Sequence, residues 1–156
     1  MYHPSLFHTD LYELTMGQSY FNSEKKNHKA TFELFFRKQP FSGGYTIFCG
    51  RNAIYNFVQN LEKSIDDLKL LIDGSTKSDK KTIQYFTKNF SFTEEYSKYI
   101  LNDLIKDIRE LEISTVEEGE IVFENTPLVQ VTGKLLPLQI IETPLLQIVN
   151  SQTIVA

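Results

Sequence analysis

Apolar positions recur along the chain at two spacings, and each spacing predicts an element. Leu11, Leu14, Gln18 and Phe21 line one side of a helix, and Tyr12, Met16 and Tyr20 form a second stripe four residues apart. The helix is predicted from Thr9 towards Phe21, ending near Asn22 and Ser23. Asp10 can cap its N-terminus, and Glu13 can reach back to the cap's own N–H. Alternation then takes over. In Thr31 to Arg37, Phe32, Leu34 and Phe36 face one way while Thr31, Glu33, Phe35 and Arg37 face the other, which predicts a strand. Tyr45 to Cys49 reads as a second strand, so residues 38–44, with Pro40, Gly43 and Gly44, read as the loop of a wide hairpin. Gly50 breaks the chain before a helix marked by Ile54, Phe57, Val58 and Leu61.

Residues 62–90 carry a different texture. Glu62 to Thr82 mixes acids with lysines around an Asp73-Gly74-Ser75-Thr76 turn. Ser64 and Asp67 can box a short helix over Ile65, Leu68 and Leu71. The stretch predicts a solvated helical excursion from the core. Thr93 then caps a long helix with Glu94 and Glu95 in its first turn and a buried stripe of Tyr96, Ile100, Leu104 and Ile108. Leu111 to Glu117, Glu120 to Phe123 and Leu128 to Thr132 read as strands, punctuated by Gly119 and Gly133. From Leu135 the chain is helical and apolar on nearly every side, the mark of a buried helix, with a kink or break expected at Pro144. Its apolar finish at Ile154-Val155-Ala156 predicts a partner layer further along a longer chain.

Composition narrows the function classes. The 156 residues are 41% apolar and 13% aromatic, enough for a folded core. A net charge of −4 argues against a broad nucleic-acid footprint, though a local phosphate site remains open. Cys49 is the only cysteine, so no internal disulfide can form, which suits a reducing, cytoplasmic setting. Met1-Tyr2-His3-Pro4 has neither the basic nor the apolar segment of a signal peptide. The apolar stretch Leu135 to Val149 contains Glu142, glutamines and prolines, and is too short and too polar to span a bilayer.

Candidate chemistry is sparse. No Walker motif and no Gly-rich dinucleotide fingerprint occurs, and His3, His8 and His28 lack metal-ligand spacing. Cys49, Ser42 and the acid pairs Asp66-Asp67 and Glu117-Glu118 read as core, turn and solvated residues. Two features remain. Arg37 ends a strand beside Lys38, with Gly43-Gly44 across the loop. Its forked donors suit a phosphate or carboxylate near free backbone N–H groups, or an ion pair with Glu33. Tyr12 stands beside Asp10 in the first helical turn, either at the mouth of a cleft or as a half-buried packing residue.

Five ordered blocks resemble one family. They are Thr9-Asp10-Leu11-Tyr12-Glu13-Leu14-Thr15-Met16; Ala30 to Lys38 with Gly43 to Gly50; Phe92-Thr93-Glu94-Glu95; Glu118 to Phe123 with Pro127-Leu128; and Glu142-Thr143-Pro144-Leu145-Leu146 with Asn150. Together they resemble the N-terminal part of nicotinate phosphoribosyltransferases over residues 8–62 and 88–156. The resemblance implies an enzyme that joins nicotinate to phosphoribosyl pyrophosphate, with coupled ATP hydrolysis, to give nicotinate mononucleotide for NAD synthesis. It implies that Tyr12 stacks on the pyridine ring, that Arg37 contacts substrate phosphate and that Asp10 lies near the ring. The resemblance further implies ATP and magnesium as co-substrate and ion of the full-length enzyme, not held by these residues, and a homodimer in which this part reaches the neighbouring active site. No catalytic residue is expected here, because the family's phosphorylated histidine belongs to an α/β barrel beyond Ala156.

The expected fold is therefore α+β. Residues 1–133 form a strand-rich, sandwich-like N-terminal domain of a type II phosphoribosyltransferase, with a charged helical insertion at about 63–87. Residues 134–156 form the helix leading to the barrel. The alternatives are the same chemistry on nicotinamide or quinolinate, and a non-catalytic binding remnant.

Overall fold

The structure, a computed structural model, describes residues 5–156. His3 and the stretch read for a signal sequence lie outside the described residues.

The fold is α+β and is built around its last helix. The elements run α1 (Leu11–Phe21), β1 (Lys29–Leu34), β2 (Thr46–Ile47), α2 (Arg51–Gln59), α3 (Leu61–Asp73), α4 (Lys80–Phe90), α5 (Glu94–Asn102), α6 (Leu104–Arg109), β3 (Glu112–Thr115), β4 (Ile121–Val122), β5 (Val129–Lys134) and α7 (Leu135–Val155). Helix α7 touches α1, α2, α6, β1, β2 and β5. Leu136, Leu138, Ile140, Ile141, Leu145, Ile148 and Val149 on it are buried. Each such side chain contributes roughly 1.5–3 kcal/mol when fully removed from water. Burial on several sides is what an all-apolar helix requires. Leu146, Ile154 and Val155 alone among its large apolar residues stay exposed. Of the kink or break expected at Pro144, the break does not occur: α7 is one helix through it.

Strand β5 is the centre of a three-stranded antiparallel sheet ordered β1-β5-β3. Phe32 faces Val131 and Leu34 faces Val129 across the β1–β5 pair. On the outer face the Thr31 and Thr132 hydroxyls lie 2.9 Å apart. β2 and β4 form a separate antiparallel pair. The expected wide hairpin of residues 31–49 is thus wrong. Its two strands fall in different sheets, because β1 finds its partner in β5. β1 also stops at Leu34, which leaves Arg37 in a bend beyond it. Gly133, expected to punctuate, is inside β5 opposite Ala30. Leu111 fills the space there, and a Cβ at Gly133 would come within 2.3 Å of its Cδ2.

The charged excursion forms helices but is not wholly solvated. Leu61, Ile65 and Phe86 from α3 and α4 belong to the core. Ser64 does not box a helix start. It lies buried inside α3 and accepts a hydrogen bond from the Leu6 N–H at 3.0 Å. Thr93 caps α5 as expected, its Oγ1 accepting from the Tyr96 N–H at 3.2 Å. The long helix expected after it is two, α5 and α6, divided at Asp103, yet Tyr96, Ile100, Leu104 and Ile108 are all buried. Glu117 and Glu118 are not idle solvated acids. Glu118 accepts from the N–H groups of Gly50 and Arg51 and so caps α2, and Glu117 pairs with the Arg51 side chain.

Candidate functional site: the first turn of α1 against α7

Asp10 caps α1 and Glu13 completes the capping box, accepting from the Asp10 N–H at 3.2 Å. Glu13 does more than close a cap. It is fully buried, and its other oxygen meets α7. Glu13 Oε1 accepts from the Thr143 hydroxyl at 2.8 Å and from the Thr143 N–H at 3.2 Å. Its Oε2 also accepts from the Thr9 hydroxyl. Burial pushes the Glu13 carboxyl up to about 7. The Thr143 and Asp10 hydrogen bonds oppose the rise, and the nearby Glu142 charge adds to it.

One turn on, Gly17 lets α1 approach Tyr96. A Cβ there would lie 2.4 Å from the Tyr96 hydroxyl, which donates to the Leu14 carbonyl at 2.9 Å. Glu13 and Gly17 are therefore the buried line of α1. Of the expected stripes, Leu11, Tyr12 and Met16 are exposed, while Leu14, Gln18, Tyr20 and Phe21 are half-buried.

Tyr12 projects from this anchored turn and is 49% exposed. Partial burial, followed by the charges of Glu142, Glu13 and Asp10, raises its phenol above the ordinary value, so it stays a neutral ring with a donor tip. Asp10 is exposed beside it and lies 3.4 Å from the Thr143 hydroxyl. Such a turn can present a flat ring face, a carboxylate and a phenol hydroxyl to a small planar ligand.

Glu142 and Thr143 also border a groove between β1 and α7. One lobe, of about 370 Å³, is lined by Phe32, Leu34, Val131, Ile141, Glu142 and Leu145. A second, of about 390 Å³, is lined by Phe35, Phe36, Pro40, Leu128, Thr143 and Asn150 among others. Arg37 lies in the bend between Phe36 and Pro40, exposed. It does not pair with Glu33, which accepts instead from Gln130 at 3.1 Å. The free N–H groups expected at Gly43-Gly44 are only partly free, because Gly43 donates to the Pro40 carbonyl at 3.0 Å. The structure thus brings Asp10 and Tyr12 together and joins Arg37 to neither by a hydrogen bond.

The sequence had shown Glu13 only as half of a capping box, and Thr143 only as part of a resemblance. A polar Glu142-Thr143 doublet inside an otherwise apolar helix was the available signal. Among the described residues no group of three or more His, Cys, Asp or Glu side chains is placed to hold a metal ion. Among them, too, no helix is long and apolar enough to cross a membrane.

Comparison with known proteins agrees with the fold. Residues 7–150 match the family described as the nicotinate phosphoribosyltransferase N-terminal domain. The chain is 35% identical to a nicotinate phosphoribosyltransferase of Bacillus subtilis (strain 168) over 149 residues, which are 96% of this chain and 26% of that protein. It is 31% identical to nicotinate phosphoribosyltransferase 2 of Arabidopsis thaliana, covering 94% of this chain and 23% of the relative. The crystal structure of human nicotinic acid phosphoribosyltransferase superposes with a TM-score of 0.69 at 27% identity, covering 90% of this chain and 25% of that one. The chain spans about a quarter of the length of these relatives. It belongs to the family of nicotinate phosphoribosyltransferase N-terminal domains.

Proposed function

We propose that this chain supplies the N-terminal domain of an enzyme that joins nicotinate to phosphoribosyl pyrophosphate, with coupled ATP hydrolysis, yielding nicotinate mononucleotide for NAD synthesis. The observation that carries the reading is the half-exposed Tyr12 ring on a first turn whose next residue, Glu13, is locked to α7. Displacement at the anomeric carbon passes through an oxocarbenium-like state. The ring nitrogen must be held in line, and the departing pyrophosphate must be stabilised.

In this reading Tyr12 stacks on the pyridine ring, a contact of about 0.5–1.5 kcal/mol beyond its buried area. Asp10 lies at the edge of the ring site. Arg37, exposed and paired with no acid among the described residues, offers two parallel N–H donors to a substrate phosphate. The histidine that takes the phosphoryl group from ATP, and most of the phosphoribosyl pyrophosphate site, belong to the barrel of the complete enzyme. Magnesium, when bound, neutralises pyrophosphate there. Assembly as a homodimer and residence in the cytoplasm are part of the same reading, and the lone Cys49 is consistent with a reducing compartment.

The names of the relatives favour nicotinate over nicotinamide or quinolinate. The experiment is Tyr12→Ala in a complete enzyme, assayed with all three pyridines and by thermal melting. The expected outcome is a raised KM for nicotinate at an unchanged Tm. A lowered Tm with unchanged nicotinate kinetics would make Tyr12 a packing residue and overturn its assigned role. Turnover of another pyridine in preference to nicotinate would reassign the substrate.

A further inference from the structure

We propose that Glu13 is a positioning residue for Tyr12: its buried carboxylate fixes the rotation of α1 against Thr143 of α7 and so sets where the exposed ring points. The proposal rests on the reading of Tyr12 as the ring-stacking residue, and goes beyond it by naming what holds that ring.

The geometry has three parts. First, the two oxygens of Glu13 face opposite ways. Oε2 gathers the Thr9 hydroxyl and the Asp10 N–H from the start of its own helix, and Oε1 gathers the hydroxyl and N–H of Thr143 from a helix 130 residues away. A carboxylate held by four donors from two elements has no freedom to turn. Second, no Lys or Arg pairs with Glu13 among the described ion pairs, so hydrogen bonds alone oppose the loss of water. An apolar residue would fill that space without the desolvation cost. What it would lack is direction, because only donors and acceptors select one rotation of α1 over another. Third, Tyr12 precedes Glu13 directly in the helix. Any rotation of α1 that releases Thr143 also swings the ring.

Thr143 links the second acid to the same device. Its hydroxyl has one proton, given to Glu13 at 2.8 Å, while Asp10 Oδ2 waits at 3.4 Å. When Glu13 takes up a proton, that hydroxyl is free to turn to Asp10. The charged and titratable groups facing Glu13 are Asp10 at the cap of α1, Tyr12 on α1 and Glu142 on α7. The carboxyl of Glu13 titrates near neutrality, so the state of the clamp can be read by pH.

The test needs no substrate. The ring resonances of Tyr12, assigned by their loss in Tyr12→Phe, and the Thr143 amide resonance are followed by NMR between pH 5 and 9 in this chain. The two sets are expected to move together with one midpoint near pH 7. In Glu13→Gln both titrations should vanish. In Thr143→Val, which keeps the shape and loses the hydroxyl, the midpoint should rise, and in Thr143→Ser it should return. Asp10→Asn and Glu142→Gln should displace the midpoint without removing it. A Tyr12 resonance that ignores pH while Thr143 titrates would overturn the proposal, as would an unchanged Tyr12 spectrum in Glu13→Gln. Should Glu13→Gln fail to fold, the Thr143 pair decides by itself. A complete enzyme supplies a separate readout: Glu13→Gln is expected to raise the KM for nicotinate several-fold with kcat changed less. If Tyr12→Ala leaves nicotinate kinetics untouched while the NMR coupling holds, the substrate role fails and the clamp stands. If Tyr12→Ala impairs nicotinate use and the coupling is absent, the clamp fails and the role stands.

Discussion

Gly17→Ala should destabilise the chain, although alanine is the better helix former. Gly17 is inside α1, where Ala is favoured over Gly by about 1 kcal/mol. Against this, the new Cβ would lie 2.4 Å from the Tyr96 hydroxyl oxygen and 3.2 Å from Ile140 Cδ1. Tyr96 is fully buried among Phe21, Phe92 and Tyr99 and cannot retreat. Overpacking of this kind costs about 1–3 kcal/mol. If the hydroxyl is pushed off the Leu14 carbonyl, a buried donor is orphaned at a further cost of about 1–3 kcal/mol. The net loss is roughly 3 kcal/mol. For a chain of this length each kcal/mol moves Tm by about 2–4 °C, so Tm should fall by roughly 6–12 °C in a calorimetric or circular-dichroism melt. The control is Tyr96→Phe, which removes the blocking oxygen. The nearest atoms to the new Cβ are then Ile140 Cδ1 at 3.2 Å, the end of a flexible side chain, and the ring carbon at 3.4 Å. In that background Gly17→Ala should raise Tm by about 2–4 °C from helix propensity. Equal effects in the two backgrounds, or a gain in the wild type, would refute the claim that the Tyr96 hydroxyl sets the distance of α1.

Other substitutions probe the site and its supports. Arg37→Lys keeps the charge and loses the fork, so catalytic efficiency with phosphoribosyl pyrophosphate should fall while the melt is unchanged, and wild-type efficiency would make Arg37 a mere surface cation. Glu118→Ala removes the cap of α2 at Gly50 and Arg51 and should cost about 0.5–2 kcal/mol in denaturant titration; no loss would mean that water replaces the cap. Glu13 holds its proton in the folded chain up to about pH 7, whereas the unfolded chain releases it near 4.5. Its contribution is therefore full below pH 4.5 and is lost as pH rises through 7, by roughly 3 kcal/mol at most. Urea midpoints measured from pH 5 to 8 should show this fall in the wild type and a flatter curve in Glu13→Gln.

What the sequence disclosed followed from the range over which each pattern acts. The Asp10 cap, the Thr93 cap and the Tyr96, Ile100, Leu104 and Ile108 stripe are set by neighbours within a few residues, and the structure keeps them. The apolar surround of α7 announced burial without naming what buries it. Strand pairing was lost because nothing local marks Val131, rather than Ile47, as the neighbour of Phe32. Glu13 was half legible for the same reason. A carboxylate three residues after a cap has an obvious local task, whereas its donors on Thr143 exist only once α7 has packed on α1. Tyr12 was left between cleft and packing by spacing alone, and its half-exposure fits both readings, because a ring at a cleft mouth and a half-buried packing ring show the same area to solvent.

The join between β5 and α7 has an evolutionary consequence. Lys134 closes the strand and Leu135 opens the helix with no residue between them, and the Leu135 N–H is already engaged by the His28 carbonyl at 2.8 Å. Strand register and helix phase are therefore geared together. One extra residue at this join would turn the whole of α7 by about 100° and advance it by about 1.5 Å. Thr143 would swing away from Glu13, and the apolar positions of α7 would trade places with its few polar ones. An insertion placed upstream within β5 would invert the strand's two faces as well. Lineages carrying this domain should accept length changes in the open turn around Gly74, where an added Cβ meets nothing within 4 Å, and lose function through a single-codon indel at residues 133–136.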